Sequence, residues 1–513
     1  MTVSVSETET KYEAPAGTAL PLLGETLEDL PQVAATTIAA QQQLDAEYYD
    51  TGDLRLLRAG VTLRRRSGGD DAGWHLKLPA GPDTRREIRL PGQQGSGGVP
   101  DELARLVRVH ARGEPLRPVA RIATTRRRLI LRGGDGQSLA EVAADEVHAQ
   151  TMGESTTVSR WHEVEVELTG GDRHLLKAAD KALRRDGLRP AGRAAKLARA
   201  LGQDPRPASP LTAPGPLTKD STAAQVVLAY LRAQTGKLKS LDPMVRGDEP
   251  DSVHQMRVTT RRLRAVLRAF RRVLPRRTTR ALDAELKWLG GELGRARDAE
   301  VLAGELRSSA REIPAEHLMG PVQARIQAHF APLAAAARAG VLATLDSPRY
   351  FALLDELDQL LAAPPLGREA GAPAIEVLPA AVRRGYKKAA RRMRRARHTR
   401  PGPHRDVALH QARKAVRRAR YAAEAVTPVA GRKARRFTKK MKKVQSVLGS
   451  HQDAVITSET ARELGISAHL AGENGFSYGL IHERDTHRRQ HLRARARKAW
   501  KKASRRKHRR WME

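Results

Sequence analysis

The chain has 513 residues, 40% of them hydrophobic, no cysteine and a formal net charge of +36 at pH 7. That length supports more than one packed core, and the absence of cysteine excludes disulfides, thiolate metal sites and cysteine nucleophiles. Residues 1–206 carry 30 Lys and Arg against 29 Asp and Glu, whereas the remainder carries 63 against 28, so one part is balanced and the other is a polycation.

The start, "MTVSVSETETKYE", has neither the basic nor the apolar region of a signal peptide. No apolar run approaches the roughly 18–20 residues that span a bilayer. A soluble, cytoplasmic protein without a membrane partner is expected. Self-repulsion in the polycationic part calls for an anionic partner.

In chain order, the first part alternates apolar and polar residues at strand period. "SETETKYE", "VTLRRR", "WHLKLP", "REIRLP", "RRRLILR", "SLAEVAADEV" and "WHEVEVEL" read as strands, and "SGGDDAG" and "GGDG" as turns. Helices are expected near 31–43, 101–111 and 173–186. The alternation puts charges on a common face: Glu163, Glu165 and Glu167 oppose Val164, Val166 and Leu168. Glu7, Glu9 and Lys11 share a face, as do Arg64 and Arg66, His75 and Lys77, Arg85, Glu87 and Arg89, and Arg126 and Arg128. One such strand reads as the wet side of a sheet. Six together point to a sheet curled into a barrel with a polar lumen, where carboxylates suit a hard divalent cation and Lys and Arg suit phosphate oxygens.

These blocks resemble the CYTH family of triphosphate tunnel metalloenzymes over about residues 1–202. Its hallmark E-x-E-x-K stands at Glu7-Thr-Glu9-Thr-Lys11, and "YYDTGDLRLLRAGVTLRRR", "AEVAADEV" and "GRAAKLARAL" follow in family order. The resemblance implies a tunnel that hydrolyses a triphosphate. It implies Glu7, Glu9, Asp145, Glu163 and Glu165 as metal ligands for Mg²⁺, with Mn²⁺ able to compete. Arg64, Arg66, Lys77, Arg85, Arg126, Arg128 and Lys196 would bind substrate, and Glu7, Glu9, Lys11 and Glu87 would act in catalysis. Glu141 would complete the polar lumen.

"GQDPRPASPLTAPGPLTKD" follows, a Pro/Gly-rich linker placed at 203–218. Beyond it Ala, Arg, Leu and Lys recur at helical period. "VHQMRVTTRRLRAVLRAF" stacks His254, Arg257, Arg261, Arg264 and Arg268 along one helical face, where an amphipathic helix normally puts apolar residues. "LHQARKAVRRARYAAEAV" repeats the pattern 156 positions later, with His410, Arg413, Arg417, Arg418 and Arg420 matching His254, Arg257, Arg261, Arg262 and Arg264. "LGRARDAEVL" and "LGSHQDAVIT" echo each other at an offset of 155. The near-constant offset marks an internal duplication.

The duplicated pattern resembles the CHAD domain across roughly 219–495, which implies binding of inorganic polyphosphate by the cationic rows. Lys439 and Lys443 in "TKKMKKVQ" would add to them, as would Lys387, Lys388, Arg391 and Arg392. Two helical bundles, 219–345 and 346–499, are expected, then a basic tail at 500–513 that reads as frayed. The fold expectation is thus α+β: an antiparallel β-barrel tunnel domain, then an all-α domain of two duplicated bundles. The functional expectation is a metal-dependent triphosphatase that binds polyphosphate and associates with polyphosphate granules. The alternative is a granule protein that binds without turnover. Aromatic content of 4% and no base-reading motif leave nucleic acid as a nonspecific partner only.

Overall fold

The computed structural model describes residues 3–15, 18, 20–81, 84–91, 98–153, 155–191, 196–202 and 215–513. Residues 203–214 of the expected linker lie outside the described residues. The chain divides into two compact units, Met1–Ala208 and Ser209–Glu513.

The first unit runs β1 (Val3–Ala14), α1 (Leu20–Glu28), β2 (Ala35–Asp50), α2 (Arg55–Arg58), β3 (Thr62–Ser67), β4 (Gly73–Pro79), β5 (Thr84–Pro91), α3 (Asp101–Ala111), β6 (Arg117–Arg132), β7 (Ser138–Thr151), β8 (Val158–Leu168), α4 (Arg173–Arg185), β9 (Arg189–Pro190) and α5 (Lys196–Ala200). Eight antiparallel strands pair in the order β5-β4-β3-β2-β6-β7-β8-β1, and β1 pairs back onto β5, which closes the barrel.

Alternation decides which side faces the lumen. Val164 and Val166 of β8 point outward into a core with Tyr12, Leu129 and Leu131, capped by Leu23 and Leu27 of α1 and Leu175 and Leu183 of α4. On another side, Leu103 and Val107 of α3 cover Leu63, Trp74, Leu76 and Ile88. Helices therefore shield the apolar outer faces, and the charged faces turn inward. The stretch 31–43, expected as a helix, lies mostly in β2. Its β-branched Thr36, Thr37 and Ile38 pair with Leu131, Ile130 and Leu129 of β6, so the sheet overrides local propensity.

The second unit is helical: α6 (Ala223–Arg246), α7 (Ser252–Ala269), α8 (Arg276–Arg311), α9 (Val322–Leu345), α10 (Pro348–Ala362), α11 (Ala374–His398), α12 (Pro403–Leu470) and α13 (Phe476–Ala503). A capping box between Thr222 and Gln225 starts α6. Gly431, at φ 58° and ψ −140°, breaks α12 into two helical arms.

Two expectations are corrected here. Helix α9 is by length and composition apolar enough to cross a membrane, with a mean hydropathy of 1.2 over its best window. Alanines that look bland one by one add up over that window. Its Val322, Ile326 and Phe330 pack with Leu306, Leu464 and Tyr478 in a shared core. The basic tail is also not frayed. Trp500 stacks on Tyr386 at 5.7 Å, Trp511 meets Phe437 edge-on at 6.0 Å, and Met512 is buried. Aromatic burial outweighs the charge of the intervening basic residues.

Candidate functional site

Cross-strand register assembles the tunnel. Lys11 stands opposite Glu165, Glu9 opposite Glu167, Lys77 opposite Glu87 and Arg126 opposite Asp145, so each lumen-facing acid meets a neighbour on the next strand. The cavity measures about 430 Å³ and is lined, among the described residues, by nine cationic and eight acidic side chains.

Lys196, delivered by α5, joins three acids. Its ammonium lies 2.6 Å from Glu163, 2.8 Å from Glu165 and 2.9 Å from Asp145. Carboxylate oxygens of those three acids lie within 4.8 Å of one another. Arg126 grips Asp145 through two hydrogen bonds of 2.8 and 2.6 Å and donates a third to Glu165 at 2.7 Å. Burial opposes the charge of Glu165, but Lys11, Lys196 and Arg126 outweigh it and hold the carboxyl well below the usual range. The same balance keeps Lys196 well above the usual lysine value.

A second group surrounds Glu7 and Glu87. Lys77 donates to Glu7 at 2.5 Å and lies 3.7 Å from Glu87. Arg89 reaches Glu7 at 3.5 Å and also pairs with Glu87. His75 is buried, with Nδ1 2.9 Å from Glu87 and Nε2 2.9 Å from the Asp71 carbonyl oxygen. Arg64 donates to the Tyr48 hydroxyl at 3.2 Å. Burial, then Arg64 and Arg126, push the Arg66 guanidinium down to about 9, a sign of cations crowded together.

Glu167 differs from the other acids of the lumen. It makes no ion pair among the described residues, and burial, reinforced by Glu7, Glu9 and Glu165, pushes its carboxyl up to about 7.

In the helical unit, α7 and α12 bring the two cationic rows together. Arg261, Arg264 and Arg268 of α7 and Arg417 and Arg418 of α12 line one small cleft. Arg268 and Arg418 continue into a neighbouring cavity of about 360 Å³ with Arg271, Arg276, Arg384 and Lys388. The duplication is visible in detail. Arg257 lies over Gly294 and donates to Asp298 at 2.7 Å, while Arg413 lies over Gly449 with Asp453 close enough to feel its charge.

The CYTH domain family matches residues 6–197 and the CHAD domain family residues 229–462. Over 493 residues the chain is 36% identical to the uncharacterized protein MT2285 of Mycobacterium tuberculosis (strain CDC 1551 / Oshkosh), covering 93% of this chain and 92% of that one. The chain is a CYTH–CHAD protein. Among solved structures, PptA from Streptomyces chartreusis is 22% identical with a TM-score of 0.45, covering 55% of this chain and 100% of its own. The CHAD domain from the plant Ricinus communis is 28% identical with a TM-score of 0.44, covering 56% of this chain and 97% of its own.

In this CYTH unit, Glu7, Glu9, Lys11, Arg64, Arg66, Lys77, Arg85, Glu87, Arg126, Arg128, Glu165 and Lys196 line one cavity. Asp145 and Glu163 stand behind Lys196 as its counterions. Arg89, Tyr48, Asp70 and Asp71 line the same cavity without having been singled out as site residues. Alternation from Glu87 pointed at Arg89, whereas Tyr48 offered no charge to notice.

In the CHAD unit, the rows split. Arg262 turns to Glu424 at 3.0 Å, and Arg420 is buried over the Tyr421 ring, so neither lines the shared cleft. His410 lines a separate cavity of about 540 Å³ with Asp406, Gln452 and Arg493. His254 stays beside Arg257, Arg261 and Arg297. Lys439 and Lys443 are exposed beyond the break at Gly431 and line none of these cavities. Arg271, Arg276 and Arg384 were missed. Arg384 precedes Lys388 by four residues, the spacing of one helical face.

Proposed function

We propose that the CYTH unit is a metal-dependent hydrolase of inorganic triphosphate or a related triphosphate, and that the CHAD unit binds inorganic polyphosphate. The observation that carries the first half is Glu167: a half-buried carboxylate beside Glu7, Glu9 and Glu165, without an ion pair of its own among the described residues. An all-oxygen donor set in which Glu167 has no cation of its own fits Mg²⁺ or Mn²⁺. Glu7, Glu9 and Glu167, with Glu165, would hold it. Asp145 and Glu163 stand outside the cavity lining behind Lys196 and suit a supporting role, whereas Glu165 lines the cavity.

When bound, the metal supplies charge neutralisation on the phosphoryl oxygens and an oriented water. The chain's own residues do the rest. Arg64, Arg66, Arg126, Arg128, Lys11 and Lys77 grip the phosphate oxygens and spread the charge that grows there. Water adds to the terminal phosphorus and the bridging P–O bond breaks, giving orthophosphate and pyrophosphate. Glu87, held well below the usual carboxylate range by His75 and Lys77 against its burial, is a poor proton acceptor and instead orients Lys77 and Arg89.

The polyphosphate half rests on the meeting of Arg261, Arg264 and Arg268 with Arg417 and Arg418. A linear polyanion has no base edges to read, so rows of guanidinium groups suffice. Association with polyphosphate granules in the cytoplasm follows from this reading.

The test is a phosphate-release panel with Mg²⁺ covering triphosphate, longer polyphosphate, ATP and thiamine triphosphate. Glu9→Gln and Glu167→Gln should each lower release about 10²–10³-fold, with polyphosphate binding retained. Undiminished turnover in both variants rejects the hydrolase. Absence of release from the unaltered chain favours a protein that only binds.

A further inference from the structure

The turn joining β3 to β4 does more than reverse the chain. Gly68 and Gly69 take φ of +77° and +73°, which favours glycine, and a β-carbon at Gly69 would stand 2.7 Å from the Leu44 side chain. At Gly68 a β-carbon would collide with the Gln43 carbonyl oxygen. The two glycines thus let the turn lie down on β2, and Asp70 and Asp71 follow at once.

Both carboxylates reach into the tunnel. Asp70 accepts from Arg128 at 3.2 Å and from Gln42 at 2.9 Å. Asp71 accepts from Arg66 and lies 3.4 Å from Arg89. His75 ties the Asp71 backbone to Glu87, so the turn is anchored from below as well. These arginines are cations that a phosphate chain would need. Of the eight acids that line the cavity among the described residues, six remain without the turn, against nine cations. With the turn in place the lumen is almost neutral; with it withdrawn the lumen gains a surplus of positive charge. The Asp70–Arg128 pair is breakable, because the Asp70 side chain is 80% exposed and ion pairs in water are weak, whereas the Asp71–Arg66 pair is more sheltered.

We propose that Asp70 and Asp71 form an anionic gate at this end of the tunnel and set the length of phosphate chain it accepts. A short substrate displaces the two carboxylates from Arg66 and Arg128 and ends there. A longer chain has to run past them and is repelled. The proposal rests on the triphosphatase reading and adds a selection for short inorganic phosphate chains.

The experiment compares the full chain with its Asp70→Asn/Asp71→Asn variant, using sodium tripolyphosphate and a longer linear polyphosphate with Mg²⁺. The preference in kcat/KM for tripolyphosphate should fall about fivefold in the variant. Comparing the two proteins cancels any contribution from the helical unit, which is the same in both. An unchanged preference overturns the gate and leaves the hydrolase intact. Hydrogen exchange over residues 67–73, measured without metal, supplies a readout free of turnover. Added tripolyphosphate should speed it in the unaltered chain, and unchanged protection overturns the gate. If the unaltered chain releases no phosphate, the hydrolase reading falls and the exchange measurement alone decides the gate.

Discussion

The Arg413 guanidinium lies across Gly449, with Nη2 3.3 Å from the position a β-carbon would take. Arg257 lies across Gly294 in the same way at 3.2 Å. The repeated Leu-Gly-x-x-x-Asp echo therefore has a mechanical meaning. Glycine opens a groove on one helix, and the aspartate one turn later faces the arginine that fills it. Gly449→Leu should expel Arg413 and weaken polyphosphate binding about three- to tenfold, roughly the effect of losing one charge-assisted contact. Filter binding checks this, with helicity by circular dichroism showing that the fold survives.

Lys196 neutralises three buried acids at once, and its removal leaves Asp145, Glu163 and Glu165 with Arg126 and Lys11 as the nearby cations among the described residues. Lys196→Met is expected to destabilise the CYTH unit by about 3–5 kcal/mol, the usual result of stranding a buried charge. Urea unfolding followed at the CYTH-unit tryptophans Trp74 and Trp161 measures it. A loss of activity without a loss of stability would instead mark Lys196 as purely a substrate ligand.

Arg261 shows the opposite balance. Burial, then Arg417 and Arg257, pushes its guanidinium down to about 9. A base depressed in the folded state destabilises it at neutral pH, and that penalty fades only as pH climbs from about 9 toward the ordinary arginine value. Arg261→Met should therefore stabilise the helical unit by about 1 kcal/mol while weakening polyphosphate binding. Denaturant unfolding with and without polyphosphate tests both halves, since a ligand that binds only the folded state adds stability.

His254 and His410 give the cationic face a pH dependence. Burial, then Arg297 beside His254 and Lys414 beside His410, holds both imidazoles below their ordinary value. A bound polyanion reverses that bias and favours the protonated rings, so binding should take up protons. Affinity should rise as pH falls from 8 through about 6.5, the ordinary histidine value. Calorimetry in buffers of different ionisation enthalpy counts the protons, and His254→Gln/His410→Gln should flatten the slope.

Strand alternation made the barrel readable, because a period of two leaves Glu163, Glu165 and Glu167 no choice but a common face. The closure of β1 onto β5 was not readable, since it depends on curvature spread over all the strands. The cationic rows were legible as rows, but not the fates of their members. Arg262 and Arg420 follow the same repeat as Arg261 and Arg264, yet Glu424 and Tyr421 draw them aside. The rotation of a helix by a fraction of a turn decides such cases, and local spacing does not carry it. Asp70 and Asp71 read simply as turn residues, because the cations they meet come from β3, β5 and β6.

The last residues behave as a clasp. Arg509 sits over Tyr386, Trp500 stacks on that same ring, and Trp511 reaches Phe437 of α12. Clipping the arginine-rich end to improve handling of the protein would therefore unlatch α11 and α12 from each other's aromatic cover. An affinity handle fused beside Met512 would sit against a buried side chain rather than on a loose string of charges.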